Sequence, residues 1–217
     1  IIPLLPFHVM GIFANMTFAG QVGDIIQVFF KVFALILLLQ FSVIIIQYMI
    51  ASGLTRKNPF SLIRHMLPAY FTALGTQSSA ATIPVTLRQA KKMGVRGFVA
   101  DFVIPLCATI HLSGSTITIT SCALAIMMVN GIGTPFWDFF PFIMALGVTM
   151  IAAPGVPGGA VMAALGLLQS MLGFNDTLIS LMIALYLAQD SFGTATNITG
   201  DGAIAFIMDR FTTIKNR

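Results

Sequence analysis

Gly75-Thr76-Gln77-Ser78-Ser79-Ala80-Ala81-Thr82 sits at the centre of an apolar block that runs from residue 60 to residue 92. Both ends of that block are basic. Arg56 and Lys57 precede it, and Arg88, Lys91, Lys92 and Arg96 close it. Basic residues beside an apolar block mark the cytoplasmic side of a membrane. A block with two cytoplasmic ends cannot cross once, so it must enter and turn back at its polar centre. The pattern predicts a re-entrant hairpin over 60–92. Non-helical backbone at membrane depth persists only where protein or a water-lined cavity satisfies it, so the turn itself points to a site.

The same grammar recurs downstream. Residues 97–128 read as an outward span with a soft polar centre, His111-Leu112-Ser113-Gly114-Ser115-Thr116. Residues 136–171 repeat the interrupted block, broken at Ala153-Pro154-Gly155-Val156-Pro157-Gly158-Gly159, with neither end basic. Residues 177–209 read as the last span, returning inward. Hairpin then span therefore occurs twice, with opposite polarity. Paired interrupted segments in corresponding positions are the sequence mark of an inverted-repeat transporter and of its binding site. Upstream, 3–19 and 24–52 read as two ordinary spans. The expected organisation is 1–55, two transmembrane helices; 56–130, hairpin 1 plus a broken helix; and 131–217, hairpin 2, the last helix and a short cytoplasmic tail.

Composition agrees. Apolar residues make up 57% of the 217 residues and charged residues 8%, against about 25% charged in a soluble domain; mean hydropathy is +0.95. The net charge of +4 does not point to nucleic acid, because all basic residues but Lys31 fall on the one side that the positive-inside rule makes cytoplasmic. Cys107 and Cys122 match no zinc or redox spacing and read as buried apolar thiols. The chain opens Ile1-Ile2 inside an apolar run without the charged start or cleavage site of a signal peptide. It reads as beginning partway through a membrane domain.

The last span carries the chemistry. Asp190, Thr194, Asn197 and Asp201 are spaced four, three and four residues apart, which places them within a roughly 60° stripe of one helix. A carboxylate at the bilayer centre costs about 2.5–3.5 kcal/mol on insertion scales, and persists where it meets a cation, a ligand or water. Asp190, near mid-membrane, suits a ligand ammonium. Asp201, three turns deeper and one turn beyond Asn197, offers oxygen to a hard cation. Catalysis is disfavoured. Asp190 and Asp201 share a helix about 16 Å apart and cannot form a protease dyad, and His111 with Ser113 or Ser115 lacks a nucleophile elbow and a third member. A channel would line its pore with repeated rings, and a scaffold subunit would not keep two carboxylates in the membrane.

The tip Gln77-Ser78-Ser79-Ala80-Ala81-Thr82-Ile83-Pro84, the break at His111–Ser115, the tip Gly155-Val156-Pro157-Gly158-Gly159 and the run Thr194…Asn197-Ile198-Thr199-Gly200-Asp201 together resemble the dicarboxylate/amino acid:cation symporters, the glutamate-transporter family. The resemblance runs in order over nearly the whole chain. It implies an all-α integral membrane protein, the transport-domain half of an elevator transporter with two re-entrant hairpins in an inverted repeat. It also implies a multi-pass plasma-membrane protein assembled as a homotrimer through scaffold spans outside this chain. Members are symporters coupled to sodium, without an organic cofactor.

By matching position, the resemblance assigns Ser78 and Ser79 to the substrate carboxylate. Gly155, Val156 and Gly159 belong to an extracellular gate, and Ser115 and Thr194 to the pocket. Asp190 takes the amino group, and Asn197 helps hold the carboxylate. The cation site is drawn from Asp201, with backbone carbonyls near Thr109, His111 and Asn197. Two departures bear on substrate and ion. Acidic-substrate members carry arginine where this chain has Gly193, and Gln189-Asp190-Ser191 is similar to the serine/threonine branch. A small neutral amino acid is therefore the expected cargo. The usual Asn-Met-Asp-Gly-Thr motif is here His111-Leu112-Ser113-Gly114-Ser115. That change removes side chains used at other sodium sites and leaves one or two sodium ions expected, with His111 a candidate proton carrier because imidazole titrates near neutrality.

Overall fold

A computed structural model describes residues 22–133 and 135–215, with residues 7, 10, 11, 14 and 18 before them. The expected first span over 3–19 lies outside the continuously described residues. All the regular structure among the described residues is helical: α1 (Val22–Thr55), α2 (Pro59–Thr76), α3 (Ser79–Met93), α4 (Gly97–Ile110), α5 (Ser113–Val129), α6 (Phe136–Met150), α7 (Gly159–Leu172), α8 (Asp176–Leu187) and α9 (Asp190–Lys215). Phe29–Leu54 and Gly97–Val129 are long and apolar enough to cross a membrane. The α8–α9 pair makes a third span if its two helices, bent by 59°, are taken as one.

Local chemistry sets the helix limits. Asn58 caps α2 by accepting from the Phe60 amide at 2.9 Å, with Pro59 at the first helical position, where its missing N–H costs nothing. Helix α2 stops at Gln77, whose φ of 51° is left-handed, a conformation uncommon outside glycine. Ser78 then caps α3 by accepting from the Ala81 amide at 3.2 Å. The break is thus two residues, Gln77 and Ser78, narrower than the eight-residue polar stretch expected. Thr76 and Thr82 hydroxyls join the two helices across it at 3.0 Å. At the far ends of the same pair, Lys57 Nζ donates to the Met93 carbonyl at 3.0 Å, so α2 and α3 begin and end beside each other.

The second interrupted block, α6 and α7, is separated by a non-helical stretch over 151–158, and the two helices pack together. Helices α4 and α5 are separated only by His111 and Leu112. The last span differs from expectation. It is not one helix over 177–209: the chain bends at Ala188 and Gln189, and Asp190 opens a new helix. The polar stripe survives because all four of its residues belong to α9.

Two apolar cores hold these elements. One gathers α5, α6, α7 and α8 around Ile119, Phe142, Leu146, Leu168 and Met182. The other gathers α1 to α4 with α9 around Tyr48, Met66, Ile104 and Ile198. Helix α9 approaches its neighbours through small residues. A methyl group on Gly114 of α5 would run into the Gly193 carbonyl and lie 2.7 Å from Thr196 Cβ, so glycine there sets how closely α5 and α9 approach. Small residues serve close helix contact where lipid removes the hydrophobic drive to associate. Leu38, Phe41, Ile46, Met49 and Ile50 of α1 are exposed, a surface suited to lipid rather than water. Cys107 and Cys122 are buried and free.

Several charged side chains pair at one end. Arg96 Nε pairs with Asp209 at 2.7 Å, Lys91 with Asp101 at 2.7 Å, and Lys57 lies over the Phe206 ring. The loop before α2, the loop after α3 and the last turns of α9 therefore share one end of the molecule, as their basic residues predict.

Candidate substrate and cation site

Helix breaks from four places converge between the two cores. The α2–α3 tip meets the 151–158 segment directly: Ser78 Oγ donates to the Gly155 carbonyl at 2.8 Å, and the Ala80 amide donates to it at 3.3 Å. Beneath this contact lies a small cavity. Gln77, Ser79, Ser115, Val156, Asp190 and Asn197 are among its walls, with Leu112, Pro154, Gly155, Ala160, Tyr186 and Thr194 completing them. Its free volume is about 10 Å³, near the least that holds one water. An amino acid enters only if the walls move.

Asp190 is 3% exposed and holds three donors. Its Oδ2 accepts from the Gly158 amide at 2.7 Å, and its Oδ1 accepts from Tyr186 Oη at 2.9 Å and from Thr194 Oγ1 at 3.4 Å. A carboxylate offers about four lone-pair sites, so three donors leave one for a ligand ammonium. Tyr186 sits on the last turn of α8, four residues before Asp190. The bend between α8 and α9 lets its hydroxyl reach the carboxylate. Its role was not read from the sequence; a buried tyrosine whose hydroxyl needs a partner, one turn from a buried acid, was the available signal.

Asn197 joins α9 to α5. Its Oδ1 accepts from the amides of Gly114 at 2.7 Å and Ser115 at 3.4 Å, and its Nδ2 donates to Ser115 Oγ at 3.0 Å. Helix α5 has no side-chain cap of its own, so a residue of another helix supplies one. Gln77, also missed, donates through Nε2 to Ser191 Oγ at 3.0 Å, which ties its left-handed backbone to the start of α9.

Most of the expected substrate residues come together. Ser79, Ser115, Gly155, Val156, Asp190, Thr194 and Asn197 line the cavity, and Ser78 joins the two tips above it. Gly159 is not among the lining residues; it packs on the Pro154 carbonyl within its own turn. Gly193 is not among them either. A Cβ at 193 would lie 3.5 Å from Gly114 C, the Ser115 amide nitrogen and Thr118 Oγ1, so this position faces α5 beside the Ser115 wall.

The expected cation residues divide. His111 and Asp201 meet: His111 Nδ1 lies 2.9 Å from Asp201 Oδ1. Asp201 is fully buried, and its Oδ2 has no hydrogen-bond partner among the described residues. The Asn197 side-chain oxygen is taken up by α5, which leaves its backbone for an ion. The Thr109 side chain is exposed and donates back to the Leu106 carbonyl, so only its backbone is available as well. Among the described residues no cluster of three or more His, Cys, Asp or Glu side chains is poised for a metal. An ion here would be held mostly by neutral oxygens.

Broken membrane helices whose polar ends converge on a buried carboxylate define a class, the secondary transporters. Comparison with known proteins gives the same class and narrows it. The model of the sodium:dicarboxylate symporter family matches residues 1–211, and the chain belongs to that family. Human excitatory amino acid transporter 1 is 34% identical over 166 residues, covering 75% of this chain and 30% of the relative. The Ambystoma tigrinum excitatory amino acid transporter 1 is 32% identical over 206 residues, covering 94% of this chain and 37% of the relative. Human excitatory amino acid transporter 2 is 32% identical over 148 residues, covering 68% and 26%. The chain thus spans about a third of the length of these relatives or less.

Proposed function

We propose that this chain forms the substrate- and ion-binding part of a plasma-membrane symporter that imports a small neutral amino acid of the serine, threonine and alanine class, driven by sodium. The observation that carries the reading is Asp190: a buried carboxylate with one lone-pair site left, enclosed by two helix-break tips and by the amide and hydroxyl groups of Asn197, Ser79 and Ser115. An α-amino acid needs that pairing of an anion for its ammonium with hydrogen-bond donors for its carboxylate. Gly193 supports a neutral side chain, since no cation at that position faces the cavity.

On this reading α2–α3 and α6–α7 are the two re-entrant hairpins of an inverted repeat. The contact between Lys57 and Met93 supports the first. The 151–158 segment is the outer gate, the hairpins ride together in an elevator motion, and a trimer forms through spans outside this chain. The family's sodium coupling supports Asp201 as the ion-site carboxylate. A second reading, coupling to protons, is favoured by one observation, the contact of the His111 imidazole with Asp201. Uptake of a radiolabelled amino-acid panel by the full-length protein in proteoliposomes, under imposed sodium or proton gradients, tests both. Concentrative uptake of serine, threonine or alanine driven by sodium is the expected result. Preference for glutamate or aspartate would overturn the substrate assignment, and uptake that follows only the proton gradient would overturn the ion.

A further inference from the structure

Helices α1 and α2 run antiparallel, joined by the turn Arg56-Lys57-Asn58, and both pack on α9. An apolar groove of about 340 Å³ lies open between them, against about 10 Å³ in the substrate cavity. Phe41 of α1, Ile63, Leu67, Phe71 and Leu74 of α2, and Phe192 of α9 are among its walls, which present only apolar surface. Beside α2 the groove extends from Ile63 to Leu74, about 16 Å along the helix. One leaflet of hydrocarbon is about 15 Å deep, half the bilayer core. Another membrane helix would seat itself through small residues, whereas these walls are aromatic and branched side chains. A flexible acyl chain needs neither small residues nor hydrogen bonds.

The turn closes the groove at its cytoplasmic end, and the cations there are used unequally. Lys57 donates to the Met93 carbonyl and lies over the Phe206 ring, Arg96 pairs with Asp209, and Lys91 pairs with Asp101. Arg56 and Arg64 are exposed, and neither side chain has an ion pair or hydrogen bond among the described residues. Arg64 follows Ile63 and stands about 20° from Phe71 around the helix, so it starts from the groove side of α2. Arg56 holds a φ of 59°, a left-handed position that glycine would take without strain. Two unpaired guanidinium groups at the headgroup end of an apolar groove call for an anion, and guanidinium matches phosphate bidentately.

We propose that the groove between α1 and α2 binds an anionic phospholipid of the cytoplasmic leaflet. One acyl chain lies along α2 from Ile63 to Leu74, and Arg56 and Arg64 hold the headgroup phosphate. Basic pockets between membrane helices on the cytoplasmic side take such headgroups. The bound chain packs α1 and α2 against α9, the helix that carries Asp190.

The test uses the full-length protein in detergent, titrated with dioleoyl phosphatidylglycerol or dioleoyl phosphatidylcholine, with bound lipid counted by native mass spectrometry. Phosphatidylglycerol should bind at least about tenfold more tightly. Arg56→Gln and Arg64→Gln should each remove about fivefold of that preference, the scale of one basic residue at an anionic surface. Lys92→Gln changes an exposed cation at the same end but outside the groove and should leave the preference intact. Leu67→Trp fills the groove and should weaken both lipids alike. Equal affinity of the wild type for the two lipids, or a loss in Lys92→Gln as large as in the arginine variants, would overturn the headgroup site. Unchanged lipid affinity in Leu67→Trp would overturn the groove as the seat of the acyl chain; a fall in the lipid-free thermal midpoint of that variant would then show that a span of the protein itself fills the space.

Discussion

Replacing Asp190 with Asn removes a charge while keeping nearly the same shape, and the surrounding donors decide how the new side chain settles. The Gly158 amide can only donate, so the single amide oxygen of Asn must turn toward it. The new NH₂ group then faces Tyr186 Oη and Thr194 Oγ1, at 2.9 and 3.4 Å from the present Oδ1. Hydroxyls accept as well as donate, so both can rotate to receive it. The Tyr186 and Thr194 hydroxyl protons must then turn to other acceptors, and the charge-assisted bonds become neutral ones of roughly half the strength. Removing a buried charge offsets part of that loss. The variant should fold and purify as the wild type does. An ammonium, by contrast, would lose its only anionic partner in the cavity. Truncating one partner of a buried charge pair costs about 2–5 kcal/mol, or roughly a 30-fold to several-thousand-fold loss of affinity. Calorimetric or scintillation-proximity binding of serine and alanine to detergent-purified full-length protein measures it. Wild-type affinity in a monodisperse Asp190→Asn sample would refute the pairing.

The same geometry sets the outcome at four other positions. Gly193→Arg should raise the glutamate-to-serine ratio in competition assays, because a side chain started there has ordinary contact distance to α5 and can extend past Ser115 to pair with a carboxylate bidentately; an unaltered ratio would remove position 193 from substrate selection. Gly114→Ala should cost about 1–3 kcal/mol of stability by overpacking and weaken substrate binding, since the methyl would push Gly193 and Thr196 away and loosen the Asn197 cap; a thermal midpoint equal to wild type would contradict the close approach. Asp201→Asn should abolish the sodium dependence of uptake, and unaltered sodium-driven activity would sink the ion assignment. His111→Asn should remove any response of uptake to an imposed proton gradient; the groups facing that ring are Asp201, Gln47 and Gly200, and a wild-type gradient response in the variant would leave His111 structural.

The elements legible in the sequence were those written in charge and periodicity. Basic residues at both ends of 60–92 pointed to a chain that turns back, and Lys57 lies beside Met93. The four-three-four spacing placed Asp190, Thr194, Asn197 and Asp201 on one face because α9 is regular across all of them. The bend before Asp190 was not legible. Ala188 and Gln189 carry no proline or glycine, and the 59° turn arises from how α8 and α9 pack in different cores. Gln47 escaped for a similar reason. Gln40 and Gln47 lie seven residues apart on α1, but only the fold brings Gln47 to a histidine 64 residues away.

The site and its cover are held by the same few bonds. The 151–158 segment is pinned near one end by Gly158 donating to Asp190 and near its middle by Gly155 accepting from Ser78 and Ala80. The first contact occupies the carboxylate that the proposed substrate needs, and the second joins the serine tip to the segment above it. The cavity between them holds about 10 Å³, so an amino acid cannot enter while both persist. If the segment swings away, Asp190 is freed from Gly158, which adds a second lone-pair site to the one already open. An arriving ammonium can replace the amide donor at little cost, because one charge-assisted bond substitutes for another. Binding then selects among positions of the tip according to their differential contacts with the substrate. Ser78→Ala tests the coupling. It removes the side-chain tether to Gly155 while leaving Asp190 and its donors in place. The tip should open more readily, so that the segment over 151–158 becomes more reactive to a thiol reagent at an introduced Val156→Cys, in the absence of substrate. Protection of that cysteine by serine should persist, since Asp190 still holds the ligand. Equal labelling rates with and without the Ser78 hydroxyl would mean that the tether does not restrain the tip.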